Sequence, residues 1–147
     1  MLKHRLSSFL LGFCLLTIYG VNAEVAHIGN QELAQMLKDG IPVIDVRRAE
    51  EWAQTGIVEG SHLLTFFDNK GNYDFPKWME TFNQIVPNPD EPFILICRTG
   101  NRTNTISQAL DKQLGYTKVY NVKKGISHWK AEKLPLIAPS QPDADEK

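Results

Sequence analysis

Residues 93–96 are Phe93, Ile94, Leu95 and Ile96, an unbroken apolar run. Successive side chains of a strand point to opposite faces, so a strand with no polar position must be covered on both sides. Such a strand belongs inside a parallel sheet flanked by helices. Residues 41–46 repeat the pattern, with Pro42 near the start, where a missing ladder donor is tolerated. Residues 25–28 and 118–122 give two further strands, and 61–66 is another apolar run. Helical patterns lie between them. Asn30 can cap a helix carrying Leu33, Ala34, Met36 and Leu37, with Gly40 at its end. Residues 49–54 form a short helical turn. Residues 75–86 align Phe75, Trp78, Met79, Phe82 and Ile85 on one face. Residues 103–114 turn Ile106, Ala109, Leu110 and Leu114 inward, with Gly115 closing the helix, and 125–133 is a last short helix. Alternating strands and helices predict an α/β fold, a central, mostly parallel five-stranded sheet with helices on both faces.

The first 23 residues stand apart. Lys3 and Arg5 precede an apolar run, and Val21, Asn22 and Ala23 end it with small residues where a signal peptidase cuts. The apolar stretch is shorter than the ~20 residues of a spanning helix. Residues 1–23 therefore read as a signal peptide cleaved after Ala23, which implies a periplasmic or secreted protein with no stable membrane anchor. Cleavage leaves 147 − 23 = 124 residues, enough for one domain over 24–136, followed by a polar tail at 137–147 expected to be disordered. The leader removes two of the 16 basic residues and none of the 17 acidic ones, leaving 14 − 17 = −3. Mild acidity gives no support for nucleic-acid binding. A monomer is expected.

The chain has 2 cysteines, and one of them, Cys14, lies in the leader. Cys97 is thus left without an intramolecular partner in an oxidising setting, which indicates a reactive thiol, intermolecular pairing or a small buried hydrophobe. Its surroundings favour reactivity. Cys97 ends the apolar strand, and ligands of parallel sheets gather at the carboxyl ends of strands. The segment Arg98, Thr99, Gly100, Asn101, Arg102, Thr103 leads into a helix. If it curls, backbone N–H groups converge on the sulfur as an anion-binding nest. The helix N-terminus and the two arginines add positive potential that favours a thiolate nucleophile. Gly100 lets the loop turn tightly. An exposed thiolate of this kind should oxidise readily.

The ordered residues Cys97, Arg98, Thr99, Gly100, Asn101, Arg102, Thr103 resemble the active-site loop of rhodanese-like sulfurtransferases, in which four residues separate cysteine and arginine and glycine is the third of the four. Ile44-Asp45-Val46-Arg47 resembles that family's Asp-Val-Arg strand end. The segment from Glu51 and Trp52 through Gly56 to Ser61 resembles the one that follows, although Ile57 stands where many members carry histidine. Residues 125–129 resemble the late glycine-to-tryptophan helix, with Lys124 in place of a common first glycine. The resemblance spans about residues 28–136. It implies that Cys97 takes sulfur from a thiosulfate-like donor, holds it as a persulfide in the loop 98–103, and passes it to cyanide, a small thiol or a periplasmic protein thiol. No metal or organic cofactor is implied.

Two other readings stay open. Cysteine phosphatases and arsenate reductases share the thiolate-in-a-loop design, but place five residues between cysteine and arginine; here there are four. A non-catalytic binding module of the same fold would often lack the cysteine. Among supporting residues, Arg98 is expected to face an anionic substrate. Arg102 is expected to pair with Asp45, and Arg47 with Glu50 or Glu51. His27, His62 and His128 show no metal-ligand spacing with Cys97 and are expected to be structural or exposed.

Overall fold

A computed structural model describes residues 24–139. The expected signal peptide and all but the first three residues of the expected tail lie outside them. Ten elements follow one another: β1 (Ala26–Ile28), α1 (Asn30–Lys38), β2 (Val43–Asp45), α2 (Ala49–Thr55), β3 (His62–Leu63), α3 (Phe75–Ile85), β4 (Phe93–Ile96), α4 (Asn101–Leu114), β5 (Val119–Val122) and α5 (Gly125–Ala131). The sheet order is β1-β5-β4-β2-β3, and every pairing is parallel. β4 is the middle strand, as its uninterrupted apolar sequence requires.

The pleat of β4 divides the core. Phe93, Leu95 and Cys97 point into one cluster with Trp78 and Phe82 of α3 and Ile106 and Leu110 of α4. Ile94 and Ile96 point into the opposite cluster with Leu33 of α1 and Ile126 and Trp129 of α5. Both faces are therefore sealed by helices. The first cluster is rich in rings: Phe82 stacks on Trp78 at 4.8 Å between centroids and meets Phe93 and Tyr116 edge-on at 5.1 and 5.5 Å. Burial raises the pKa of the Tyr116 phenol, which donates to Asn83 Oδ1 at 2.9 Å.

The expected elements recur with shifted ends. The apolar run 61–66 yields only two ladder residues because its second half leaves the sheet: Leu64 and Phe66 donate from their backbone to Asp45 O and Val46 O at the end of β2. Leu114, expected to face inward, is 42% exposed, because α4 ends there and Gly115 turns the chain away at φ 72°. Ile137, at the start of the expected tail, instead exchanges two backbone hydrogen bonds of 2.9 Å with Ile57. Gly56 makes room for that crossing, since a Cβ there would stand 2.8 Å from Ile137 O. Among the described residues no helix is long and apolar enough to cross a membrane.

Phe82 is fully buried and joins α3 to β4 and to Tyr116. Phe82→Ala should lower unfolding free energy by about 3–5 kcal/mol, read from the urea midpoint at unchanged slope. A cost below about 1 kcal/mol would show that this cluster does not anchor α3.

Candidate active site

Cys97 continues the alternation of β4 and turns its sulfur toward α4. The chain then curls through Arg98 and Thr99, both exposed, to Gly100, which caps α4 at φ 90°. Two glycines allow this loop to lie against the β5–α5 turn. A Cβ on Gly100 would be 2.2 Å from Lys123 O, and one on Gly125 would be 2.4 Å from Cys97 O. Their backbones also sit at positive φ, where a side chain is strained. The reward is direct backbone contact: Ile126 N–H donates to Cys97 O at 2.9 Å and Ser127 N–H to Arg98 O at 3.0 Å. The cysteine is thus gripped from behind by α5.

The sulfur itself is enclosed. Cys97 is 1% exposed, so the expectation of an exposed thiol is corrected: the loop folds over the side chain instead of displaying it. Gly100 N–H donates to Sγ at 3.1 Å, and Thr103 Oγ1 lies 3.4 Å from it. The first turn of a helix leaves its N–H groups without intrahelical acceptors, and in α4 these belong to Asn101, Arg102 and Thr103. Anion-favouring potential therefore rises on the same side as the sulfur.

The expected ion pairs change partners. Asp45 does not reach Arg102. It is fully buried at the end of β2 and is taken by Arg47, two residues on, whose Nε lies 2.9 and 3.1 Å from Oδ1 and Oδ2 and whose Nη2 lies 2.7 Å from Oδ2. Arg47 then spends its remaining donors on Thr55 Oγ1 at 2.6 Å and Gly56 O at 2.9 Å, which ties β2 to the end of α2. A buried pair is tolerable only when satisfied in this way. Glu51, expected on Arg47, instead forms a two-pronged pair with Arg102, Nη1 to Oε2 at 2.9 Å and Nη2 to Oε1 at 2.6 Å. It also accepts from Arg48 N–H at 3.1 Å. Burial alone would raise the Glu51 carboxyl, but the bonds from Arg102 and the Arg48 backbone outweigh it and hold the pKa down at about 2. Arg102 is shifted up, first by the Glu51 bond and further by the charges of Cys97 and Asp45.

Sequence reasoning gave Glu51 the wrong partner and missed Asn121. Glu51 carries no local sign of a bond 51 positions away. Asn121 had a sign: it is a polar residue inside an apolar strand, on the same face as Val119. It is buried, accepts from Thr103 Oγ1 at 2.6 Å, and directs Nδ2 to His27 Nδ1 at 3.0 Å. Beside the loop lies a cleft of about 410 Å³ whose lining includes Arg48, Arg98, Glu50, Ser127 and Lys130. Arg48 is engaged by Glu50, whereas no ion pair holds Arg98 or Lys130 among the described residues. His128 lies 3.0 Å from Glu132 in an ion pair available when the imidazole is protonated.

Because the Glu51 carboxyl falls from its ordinary 4.5 to about 2 on folding, its charge stabilises the fold fully above pH 4.5, and that contribution is lost as pH falls toward 2. Glu51→Gln should cost about 1 kcal/mol near neutrality, with the gap to the parent closing in acid. A gap independent of pH, measured by urea unfolding between those limits, would contradict the pairing.

The Rhodanese-like domain family model matches residues 29–132. A putative sulfurtransferase, YtwF, of Bacillus subtilis is 31% identical over 114 residues, covering 76% of this chain and 97% of that protein. Thiosulfate sulfurtransferase GlpE of Ectopseudomonas mendocina is 28% identical, covering 74% and 88%. Among solved structures, the polysulfide-sulfur transferase homodimer of Wolinella succinogenes shares the fold with a TM-score of 0.61 at 20% identity, covering 85% of this chain and 87% of that one. The five-stranded parallel sheet, the loop at the end of β4 and the matched span agree: the chain belongs to the rhodanese-like domain family.

Proposed function

We propose that the protein is a sulfurtransferase that carries one sulfane sulfur as a persulfide on Cys97. The observation that bears most weight is the Cys97 sulfur inside a loop that already directs the Gly100 N–H at it from 3.1 Å. Relatives named as sulfurtransferases support sulfur transfer as the reaction. In the first half-reaction the Cys97 thiolate attacks the outer sulfur of a donor such as thiosulfate. A new S–S bond forms, the donor's S–S bond breaks, and sulfite leaves with the electron pair. In the second, a thiolate or cyanide attacks the outer sulfur and Cys97 leaves as thiolate. Both halves conserve electrons, so no redox cofactor is required. The persulfide places its terminal atom about 2 Å beyond Sγ. Preorganised N–H groups of the loop and of the first turn of α4 suit the charge on that atom.

The cleft lined by Arg98 and Lys130 favours an anionic donor over a neutral one. The four-residue spacing between Cys97 and Arg102 suits one sulfur better than a tetrahedral oxyanion. With residues 1–23 as a cleaved signal peptide, the reaction would run in the periplasm or outside the cell, on a small donor and on a thiol, cyanide or a protein thiol as acceptor.

Sulfur transfer from thiosulfate to cyanide tests this reading. The protein should turn over and Cys97→Ser should not. Lys130→Ala should raise the thiosulfate KM about twofold to fivefold with little change in kcat, the loss of one partly exposed charge contact. Equal turnover by Cys97→Ser, or none by the parent with thiosulfate or polysulfide, would overturn it.

A further inference from the structure

A line of side-chain contacts runs from the buried sulfur to an exposed histidine. Cys97 Sγ lies 3.4 Å from Thr103 Oγ1, Thr103 Oγ1 lies 2.6 Å from Asn121 Oδ1, and Asn121 Nδ2 lies 3.0 Å from His27 Nδ1. Thr103 and Asn121 are buried, and His27 is the exposed neighbour of Asn121 across the β1–β5 ladder. A hydroxyl has one proton. In the arrangement seen, Asn121 Oδ1 at 2.6 Å and Gly100 O at 3.1 Å can both only accept, and the shorter bond takes the proton, so Thr103 offers the sulfur a lone pair. Such a partner suits a protonated thiol. A thiolate or a terminal persulfide needs the opposite, a donated proton.

The two ends of the amide are interchangeable in shape. If the Asn121 amide reverses, Nδ2 donates to Thr103 Oγ1, whose own proton is then released to the sulfur or to Gly100 O, 3.1 Å away, and a charged sulfur is the stronger acceptor of the two. Oδ1 faces His27, which accommodates it when the imidazole proton sits on Nδ1, its other neutral tautomer. The reversal costs one contact, the 3.4 Å approach of Asn121 Nδ2 to Gly100 O. His27 supplies the compensating donor. We propose that Asn121 and His27 are positioning residues for the sulfur chemistry: together they set whether the Thr103 hydroxyl donates to Asn121 or to Cys97. This rests on the reading of Cys97 as the nucleophile. No bond to sulfur is made or broken in the reversal; only hydrogen-bond donors exchange, and the imidazole proton moves between ring nitrogens through water.

Alkylation of Cys97 by iodoacetamide at fixed neutral pH reads thiolate availability without any sulfur donor. Thr103→Val, which removes the hydroxyl, should slow it about tenfold or more, the loss of one hydrogen bond to a charged acceptor, and Thr103→Ser should restore it. His27→Leu, at an exposed edge position, should slow it about threefold, because the amide then keeps its bond to Gly100 O and its hold on the Thr103 proton. Asn121→Asp should slow it more than His27→Leu, since a carboxylate holds that proton in either orientation. Parent-like alkylation in either Thr103→Val or His27→Leu, with unchanged urea midpoints, would overturn the proposal. Its failure is distinct from failure of sulfur transfer, because alkylation needs neither donor nor acceptor.

Discussion

Two backbone hydrogen bonds, from Ile126 to Cys97 O and from Ser127 to Arg98 O, hold the reactive segment in place. Everything around the sulfur depends on that contact. It exists only because Gly100 and Gly125 lack side chains where the two loops meet, each blocked by backbone at under 2.5 Å from a would-be Cβ. Backbone cannot rotate away as a long side chain can. The loop is therefore a rigid cradle built from main chain, which is what a site for a single added sulfur requires.

Charge is layered around this cradle. Deepest is the Asp45–Arg47 pair, fully buried and bonded to Thr55 and Gly56, which fixes the end of β2 against α2. Next is Glu51–Arg102, mostly buried, which clamps α2 to the first turn of α4. Outermost are Arg98 and Lys130 at the cleft. The inner two layers neutralise themselves and act on geometry; the outer one is where the proposed anionic donor would bind. Burial of Cys97 at 1% exposure also limits the contact of bulky oxidants with a thiol set near positive potential.

Much of this was legible in the sequence. Phe93 to Ile96 read as a strand covered on both faces, which put Cys97 at a strand end; that its sulfur turns toward α4 came only with the structure. Gly100 and the polar stretch after it announced a turn into a helix. The pairing of arginines was not legible. Asp45 sits on a buried strand end, and sequence spacing does not say whether the guanidinium two residues on or the one across the loop will arrive. Arg47 wins because it follows Asp45 by two residues and folds back on the carboxylate, leaving Arg102 to Glu51 on α2. Asn121 was visible as a polar break in Val119–Val122 but lacked any sign of a partner. Its neighbours Thr103 and His27 come from positions 18 and 94 residues away.

The chemistry assigned to the loop predicts a distinct covalent state. A crystal structure of the protein treated with thiosulfate should show one extra atom bonded to Cys97 Sγ at about 2 Å, ringed by the N–H groups of residues 100–103. An unmodified sulfur, or the oxygens of a sulfinic or sulfonic acid in its place, would contradict a persulfide site.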